Sequence, residues 1–436
     1  MVRFSLESEA AGIRLCEIIQ AGDCDLHLHT HSSDGSDSAA ELVDRVLDAG
    51  LRAFAITDHD TLSGIAPGKE ALDARTSGLA PNEIPELIPG VEISVEDNQE
   101  LHLLGYFPFG GEMALEPFLA EQREQRRLRN EALLYRLASL GYKIDPQTFA
   151  ETGEEVRGRM QIALLLVEGG YFDSVSAAFN QLLGEGKPGY LERLRPTIRE
   201  AIGAIREAGG AAVLAHPALY GWCGPSPYIE PLLIENLLRY LAMGLQGVEA
   251  FHGEATSEQQ AQIEAAALVC GLIPTCGSDD HGIHKEHAKL YRRGQCFTVK
   301  DSVVVTAALI RGLTAGGEPG LLMTRRAGSR SSVGLWEYPG GKMEPGETPE
   351  ICLARELQEE LRTEVKVGKL VVALYHDYEL SRVILLCYDT VLADEPQLDP
   401  DIHDDMLYLT LTEAREIGIL PADLYVVDRL EKLAYL

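Results

Sequence analysis

The chain has 436 residues, of which 45% are hydrophobic, and a formal net charge of −30 at pH 7. This length allows two or three domains, and the negative charge argues against binding a long nucleic acid, which needs a cationic surface. We find no apolar run long enough to cross a bilayer and no secretory signal at the N-terminus, which predicts no membrane association and a cytoplasmic location.

Helices and strands alternate through the first part of the chain. Residues 40–50 have the apolar spacing of an amphipathic helix that ends at a glycine, and RAFAITDHD predicts the strand that follows. The alternation continues through LIPGVEIS, AIGAIREAGG, AAVLAHP, GLQGVEAFHG, SEQQAQIEAAALVCG and LIPTCGSDDHG. Repeated units of this kind predict parallel strands in an α/β barrel or sheet. Between about 110 and 195 the pattern turns helical, which predicts an inserted helical subdomain over a site.

The pattern changes near residue 299. DSVVVTAALIRG and PGLLMTRRAG predict two strands joined by the turn TAGGEPG, and KLVVALYHDY and RVILLCYDTVL predict further strands. We therefore predict one domain over residues 1–298 and a second over 299–436. The eight cysteines form no CxxC pair, and we expect them to be mostly reduced thiols.

The segment DLHLHTHSSDG carries the strongest chemical signal of the first part. His27 and His29 occupy alternate positions, which face the same side of a strand and can share one divalent cation with Asp34. Further residues of metal-binding type follow in the later predicted strands, and these residues are His59, Glu92, His102, His216, Asp279 and His281. Each of these histidines could instead be a core residue bonded to a carbonyl, but their recurrence favours one metal centre at the carboxyl ends of the strands.

The ordered motifs HLHTHSSDG, TDHDT, GVEIS, HLLGY, LAHP and GSDDHG resemble those of the PHP family, named for polymerase and histidinol phosphatase, over residues 24 to about 290. The resemblance implies a distorted seven-stranded βα barrel with two or three ions of manganese, zinc or iron. It also implies a set of ligands in which Glu92 bridges the ions. The implied ligands are His27, His29, Asp34, His59, Glu92, His102, His216, Asp279 and His281.

The segment AFNQLLGEGKPGYLERLRPT and the helical insertion resemble the nucleotide-phosphatase branch of that family. Members of the branch act on AMP-like or 3′,5′-bisphosphate nucleotides, and some trim RNA 5′ ends. The branch usually has GRPHIA where this chain has GRMQIA at 158–163, so Gln161 replaces a histidine that the resemblance places in contact with substrate.

Clustered cations would lower the pKa of water and neutralise phosphate oxygens, so no protein nucleophile is needed. Arg157, Arg159 and Lys187 are candidate phosphate clamps, with placement on the open surface as the alternative for each. The basic segments 123–129 and 193–199 either contact small phosphates or form solvated helix faces. His252 is a candidate for proton transfer or for support of a metal ligand.

Residues 341–360 read GKMEPGETPEICLARELQEE and fit the spacing G-x5-E-x7-R-E-U-x-E-E, where U is aliphatic. On a helix Glu356, Glu359 and Glu360 share one face, where their charges repel unless a hard cation binds them. Arg355 can steady this acidic cluster by bidentate pairing.

This spacing is identified as the Nudix box, and the flanks GLWEYPGGK and ILPADLYVVDRL resemble the MutT-like branch. The resemblance covers about 300–436 and implies an α/β/α domain that binds magnesium or manganese and directs water onto a diphosphate linkage. Glu359, Glu360 and Arg355 would be catalytic. Arg362 replaces the usual glycine after the box, which predicts a loosened helix end, and Trp336 lies either in a base pocket or in the core.

The leading hypothesis is a bifunctional enzyme with small nucleotides as substrates, in which a PHP phosphatase of nucleotide monoesters is joined to a Nudix pyrophosphohydrolase. An alternative is processing of short RNA 5′ ends. A third hypothesis makes the Nudix half a nucleotide sensor without catalysis, and the complete acidic triad argues against it.

Overall fold

The computed structural model describes residues 6–150, 156–285, 288–295, 302–327, 333–344, 346–379 and 381–436. Its contacts divide the chain into two compact units. The first unit contains Met1–Tyr220, Asn236–Thr256 and Gly271–Thr298, and the second contains Gly221–Glu235, Ser257–Cys270 and Val299–Leu436. The predicted boundary between 298 and 299 lies outside the described residues, so it stays a prediction. Within the described ranges, no helix has the length and apolarity that crossing a membrane requires.

The first unit is built on a seven-stranded sheet whose strand order follows chain order. The strands are β1 (Cys24–Leu28), β2 (Ala53–Ile56), β3 (Glu86–Glu96), β4 (Glu100–Tyr106), β5 (Ala211–Leu214), β6 (Gly247–His252) and β7 (Ile273–Gly277). The His29 N–H donates to the Asp280 carbonyl at 3.0 Å, and the Asp279 N–H donates to the His27 carbonyl at 2.9 Å. These bonds join the end of β7 to β1 and nearly close the sheet into the predicted barrel.

One strand departs from the predicted parallel order. Strand β4 runs antiparallel to both β3 and β5, whereas the other neighbours in the sheet are parallel. Only residues 97–99 link β3 to β4, and a parallel crossover needs a dozen or more residues. The start of β4 therefore lies at the rim where its neighbours end, and His102 reaches that rim from the beginning of a strand.

Helices surround these strands in the sequence. They are α1 (Leu6–Ala21), α2 (Ala39–Ala49), α3 (Ile65–Arg75), α4 (Glu116–Ser139), α5 (Pro146–Ala150), α6 (Arg159–Glu168), α7 (Val175–Ala178), α8 (Ile198–Glu207), α9 (Pro231–Leu241) and α10 (Ser257–Cys270). The prediction over 40–50 is confirmed: Ser38 and Glu41 form a capping box, and Gly50 ends α2 with φ of 71°.

The predicted helical insertion is also confirmed, because α4 to α7 all lie between β4 and α8. They share an apolar core of their own that contains Leu133, Leu137, Ile162 and Leu182.

The second unit contains a mixed sheet between helices. Its strands are β8 (Ser302–Leu313), β9 (Pro319–Arg326), β10 (Trp336–Glu337), β11 (Gly340–Lys342), β12 (Val365–Asp377), β13 (Arg382–Leu392) and β14 (His403–Leu409), and the helices of this segment are α11 (Pro349–Leu361), α12 (Leu411–Glu416) and α13 (Pro421–Lys432). On β8, the Thr306 hydroxyl lies 3.3 Å from the Cys352 sulfur of α11, whereas Ala307 belongs to the core that contains Val426 of α13. Successive strand residues face opposite sides, so α11 and α13 cover opposite faces, as the α/β/α prediction requires.

The end of α11 adopts the conformation that a glycine would favour. Arg362 has φ of 51°, and its guanidinium lies 3.3 Å from the Asp399 carboxylate. A side chain at this φ costs about 1 kcal/mol. We expect Arg362→Gly to stabilise the domain by about 1 kcal/mol and to raise its melting temperature by roughly 2–4 °C. Thermal unfolding followed by circular dichroism measures this; a lower melting temperature would show that the Asp399 contact outweighs the backbone strain.

Candidate metal centres

The structure brings all nine side chains predicted as ligands of the barrel to one rim. Their donor atoms form three groups, within each of which the atoms lie within 4.8 Å of one another. The groups are His29, Asp34, His59 and His281; His27, His29, Glu92 and Asp279; and His59, Glu92 and His102. His216 completes the set from the end of β5. A fourth group contains Asp279 with His252 and Glu254. The groups share residues, so the number of ions and the role of each residue as a ligand stay predictions.

Glu92 belongs to two of these groups and lies against His29 and His59 of the third. Its Oε2 lies 3.3, 3.2 and 3.1 Å from ring nitrogens of His27, His29 and His59. Its Oε1 lies 2.7 Å from a ring nitrogen of His102. The two oxygens of one carboxylate thus face different imidazoles, which is the arrangement of a bridging ligand.

Buried ring nitrogens without a hydrogen-bond partner test whether cations fit here. Within the described ranges they include Nε2 of His27, both ring nitrogens of His29, and Nδ1 of His59 and His216. Polar atoms in a protein interior are normally paired, since an unpaired one costs free energy. Divalent cations would satisfy one nitrogen of each coordinating ring, together with the carboxylates beside it.

The charge states also suit a cation. Burial raises the pKa values of Asp34, Glu92 and Asp279, but the neighbouring imidazoles outweigh it and hold all three pKa values well below the usual range. Burial lowers the pKa of His59 to about 4, so this ring is neutral at pH 7. Burial also lowers the pKa of His29, but Asp279 and Glu92 raise it to about 10, so a cation must displace a proton there. Ionised carboxylates and imidazole are the donors that zinc, manganese and iron accept.

Sequence reasoning missed Glu249, which lies fully buried on β6. Its Oε1 accepts a hydrogen bond from the ring Nδ1 of His27 at 2.9 Å, and its Oε2 accepts one from the backbone N–H of His216 at 2.8 Å. The proton on Nδ1 leaves the lone pair of His27 Nε2 directed towards Glu92 and Asp279. A charged residue inside the apolar strand GVEAFH is the signal that could have identified it.

We expect Glu249→Gln to weaken metal binding at the barrel rim by about 10- to 100-fold, because the amide can donate to His27 and disturb the proton arrangement of the ring. Titration with manganese of protein from which a chelator has removed the metal measures this affinity. Glu258→Gln, on the exposed first turn of α10, is the matched control. Equal affinity in both variants would rule out a role for Glu249 in orienting His27.

His252 lies beside the centre, next to Asp279. The ring is fully buried, its Nδ1 accepts the Glu254 N–H at 3.2 Å, and its Nε2 lies 3.5 Å from Asp279 Oδ2. Lys285 places its ammonium 2.5 Å from that oxygen and 2.6 Å from Glu254. This geometry fits the support of Asp279, and proton transfer by His252 stays a prediction.

The three predicted phosphate clamps lie in different surroundings. Arg159 Nη2 is 3.4 Å from Glu100 Oε2, and Glu100 Oε1 is 3.9 Å from His102, so Arg159 borders the metal centre. Arg157 lines a cavity of about 480 Å³ in the insertion. Lys187 is exposed, and no hydrogen bond or ion pair joins its side chain to a candidate ligand in the part of the chain that the structure describes.

Gln161 stands where the related branch usually has histidine, and it is buried. Its Nε2 donates to the Ser33 carbonyl at 2.9 Å, and its Oε1 accepts the Gly158 N–H at 2.6 Å. The side chain therefore fastens the start of α6 to the loop after β1.

In the second unit, α11 presents the acidic cluster of the Nudix box. Arg355 donates to Glu347 at 2.7 Å and to Glu356 at 2.8 Å, and its hydrogen bonds lower the pKa of Glu347 to about 2. Glu360 is buried and accepts the Gly340 N–H at 3.0 Å, whereas the Glu359 side chain is 57% exposed. The two-bond pairing of Arg355 is with Glu347, at 2.7 and 3.0 Å, whereas it makes one hydrogen bond to Glu356 of the acidic cluster; its catalytic role stays a prediction.

The carboxylate of Glu356 lies where a side chain at position 341 would be, since its atoms are 2.2–2.5 Å from the ideal Cβ of that residue. This close approach explains why the motif has Gly341. Trp336 is 8% exposed and packs in the core of the unit, so a base pocket that includes it stays a prediction.

Comparison with known proteins finds a different family in the earlier and in the later part of the chain. The PHP domain model matches residues 25–208, and the NUDIX domain model matches residues 303–430. The chain is 35% identical over 262 residues to the 5′-3′ exoribonuclease Rnm of Escherichia coli strain K12, covering 59% of this chain and 84% of that protein. It is 31% identical over 261 residues to a 3′,5′-nucleoside bisphosphate phosphatase of Chromobacterium violaceum, covering 59% and 86%.

The later residues match a different relative. They are 32% identical over 109 residues to the CTP pyrophosphohydrolase of Escherichia coli strain K12, covering 25% of this chain and 79% of that protein. A crystal structure from Bifidobacterium adolescentis matches with a TM-score of 0.53 and 28% identity, covering 62% of this chain and 92% of that one. The chain therefore belongs to the PHP family and carries a C-terminal domain of the Nudix family.

Proposed function

We propose that the protein is a bifunctional metal-dependent hydrolase of nucleotides. The PHP half removes a phosphate from nucleotide monoesters such as AMP or 3′,5′-bisphosphates, and the Nudix half cleaves a diphosphate linkage. The convergence of nine donor side chains at one rim, five of them imidazoles within 3.3 Å of the Glu92 carboxylate, carries the first assignment. The similarity to a bisphosphate phosphatase and to a CTP pyrophosphohydrolase supports the class of substrate.

In the PHP half, the chain's own residues would hold the cations and orient the substrate. Cations of manganese, zinc or iron, when bound, acidify water and neutralise phosphate oxygens. Glu92 directs one carboxylate oxygen towards His27 and the other towards His102. Glu249 fixes the tautomer of His27. Arg159, beside Glu100 at the edge of the centre, is placed to pair with a phosphate of the substrate.

In the Nudix half, Glu356 and Glu360 would hold magnesium or manganese, which when bound would offset the charge of the diphosphate. Arg355 fixes Glu356 through its hydrogen bond. The exposed Glu359 is free to accept the proton of the attacking water.

The two halves act in sequence: the Nudix half releases a nucleoside monophosphate, and the PHP half removes its phosphate. A screen of nucleotides with manganese, magnesium or zinc, using the full chain and the variants Glu92→Gln and Glu359→Gln, tests this proposal. Glu92→Gln should accumulate the monophosphate, and Glu359→Gln should leave the triphosphate intact. Activities on nucleotides that share no intermediate would contradict the sequence of steps.

A second candidate is trimming of RNA 5′ ends, which the 35% identity to an exoribonuclease favours. Short 5′-phosphorylated oligonucleotides distinguish the two. Release of successive mononucleotides, lost in Glu92→Gln, would establish exonuclease activity, and turnover of mononucleotides alone would reject it.

A further inference from the structure

The fourth group of metal-type donors has a lysine among its members. The group consists of His252 at the end of β6, Glu254 in the turn that follows, and Asp279 after β7, with donor atoms within 4.8 Å of one another. The ammonium of Lys285 lies 2.5 Å from Asp279 Oδ2 and 2.6 Å from Glu254 Oε2. A positive charge that belongs to the chain therefore lies between the two carboxylates of this group.

The carboxylate of Asp279 divides its two oxygens between the imidazoles of the rim and this lysine. Its Oδ1 lies 3.4 and 3.2 Å from Nε2 of His27 and of His29. Its Oδ2 lies beside the Lys285 ammonium and 3.5 Å from Nε2 of His252. One oxygen can thus serve a cation among the imidazoles, while donors of the chain occupy the other.

The ring of His252 is held in a state that cannot bind a cation through Nε2. Its Nδ1 accepts the backbone N–H of Glu254 at 3.2 Å, so the ring proton is on Nε2. A ring nitrogen that carries a proton has no lone pair for a metal, since histidine binds metals through its unprotonated nitrogen. Nε2 is also the nitrogen that lies beside Asp279, so its proton adds to the positive charge that Oδ2 receives.

An ammonium suits this position because two neighbouring carboxylates repel each other unless a cation lies between them. The ammonium has three donors and no acceptor, and two of the donors are directed to Asp279 and Glu254. Lys285 therefore does for this group what a metal ion would do, and it stays in place when a chelator removes the metals.

We propose that Lys285 fills the fourth group as an internal cation and so limits the number of metal ions that the barrel rim holds. Asp279 then serves the metal centre through Oδ1 alone. Lys285 is a positioning residue, because it acts through Asp279. This inference rests on the proposed function of the PHP half as a metal-dependent phosphatase and specifies how the ions of that site are limited.

The test counts the manganese ions that the full chain binds at saturation, by equilibrium dialysis and elemental analysis. We expect Lys285→Met to bind one ion per chain more than the wild type, because it frees Asp279 Oδ2 and Glu254, and manganese accepts carboxylate oxygens. Ions bound by the Nudix half are common to all variants and cancel in the comparison. Lys289→Met removes the same charge from an exposed position and is the matched control.

Two further variants show whether the added ion occupies the fourth group. Lys285→Arg keeps the positive charge and should bind the wild-type number of ions. The double variant Lys285→Met, Glu254→Gln should also return to that number, because the added ion loses one of its two carboxylates. Lys285→Gln removes the charge but keeps a polar side chain, so it should reproduce the gain even if the methionine variant fails to fold.

The count does not depend on turnover, which separates this inference from the phosphatase function. Wild-type protein that binds manganese but releases no phosphate from AMP would reject the phosphatase function alone. An equal count in the wild type and in the folded Lys285→Met or Lys285→Gln variant would overturn the internal cation. A lower count would do the same, since it would show that Lys285 only anchors Asp279.

Discussion

The variant Glu92→Gln is expected to lose phosphoesterase activity of the PHP half by on the order of 10³-fold, because metal-assisted charge stabilisation supplies several kcal/mol. The substitution keeps the shape of the side chain but removes the charge on which the three imidazoles at Oε2 converge. It should also reduce the metal content of the purified protein by at least one ion per chain. Elemental analysis after dialysis and steady-state phosphate release measure the two effects.

The control is the Nudix activity of the same variant, which should remain at the wild-type level. Loss of both activities would indicate unfolding instead of a local defect. Wild-type metal content together with wild-type phosphate release would show that Glu92 does not bridge ions, and the account of the barrel rim would be wrong.

The second large effect is expected for Glu359→Gln, which should reduce nucleotide pyrophosphohydrolysis by about 10²- to 10⁴-fold, the usual range for loss of a general base. Glu359 is exposed on α11 and lies 3.7 Å from the Arg355 guanidinium, so the amide should not disturb packing. Release of inorganic pyrophosphate from CTP, in the presence of magnesium, measures the loss.

Glu350→Gln removes an exposed carboxylate from the first turn of the same helix and should leave the rate unchanged. Equal rates in Glu359→Gln and wild type would assign the proton transfer to another residue. Absence of hydrolysis in the wild type would instead favour the nucleotide-sensing alternative for the Nudix half.

The sequence predicted the fold class and the assembly of the barrel's donors well, because both depend on local spacing. His27 lies on β1 and His29 directly follows the end of that strand, and the capping residues of α2 are neighbours in the chain. The helices α1, α3, α9, α12 and α13 were not predicted. In α1 and α3, small or polar residues interrupt the apolar pattern, so tertiary packing decides their conformation.

Residues that act through distant partners escaped the sequence analysis. Glu249 matters because it contacts His27, 222 positions away. The reversal of β4 follows from a short link whose meaning depends on where the next strand pairs.

The side chain of Gln161 links two segments of the chain that are far apart in sequence. Both ends of its amide are engaged, one with the loop after β1 and the other with the start of α6. An imidazole fixes its two nitrogens in a rigid ring, so it would not reproduce this pair of contacts in the same geometry. Replacement of Gln161 by histidine would therefore weaken the link between the loop after β1 and the start of α6.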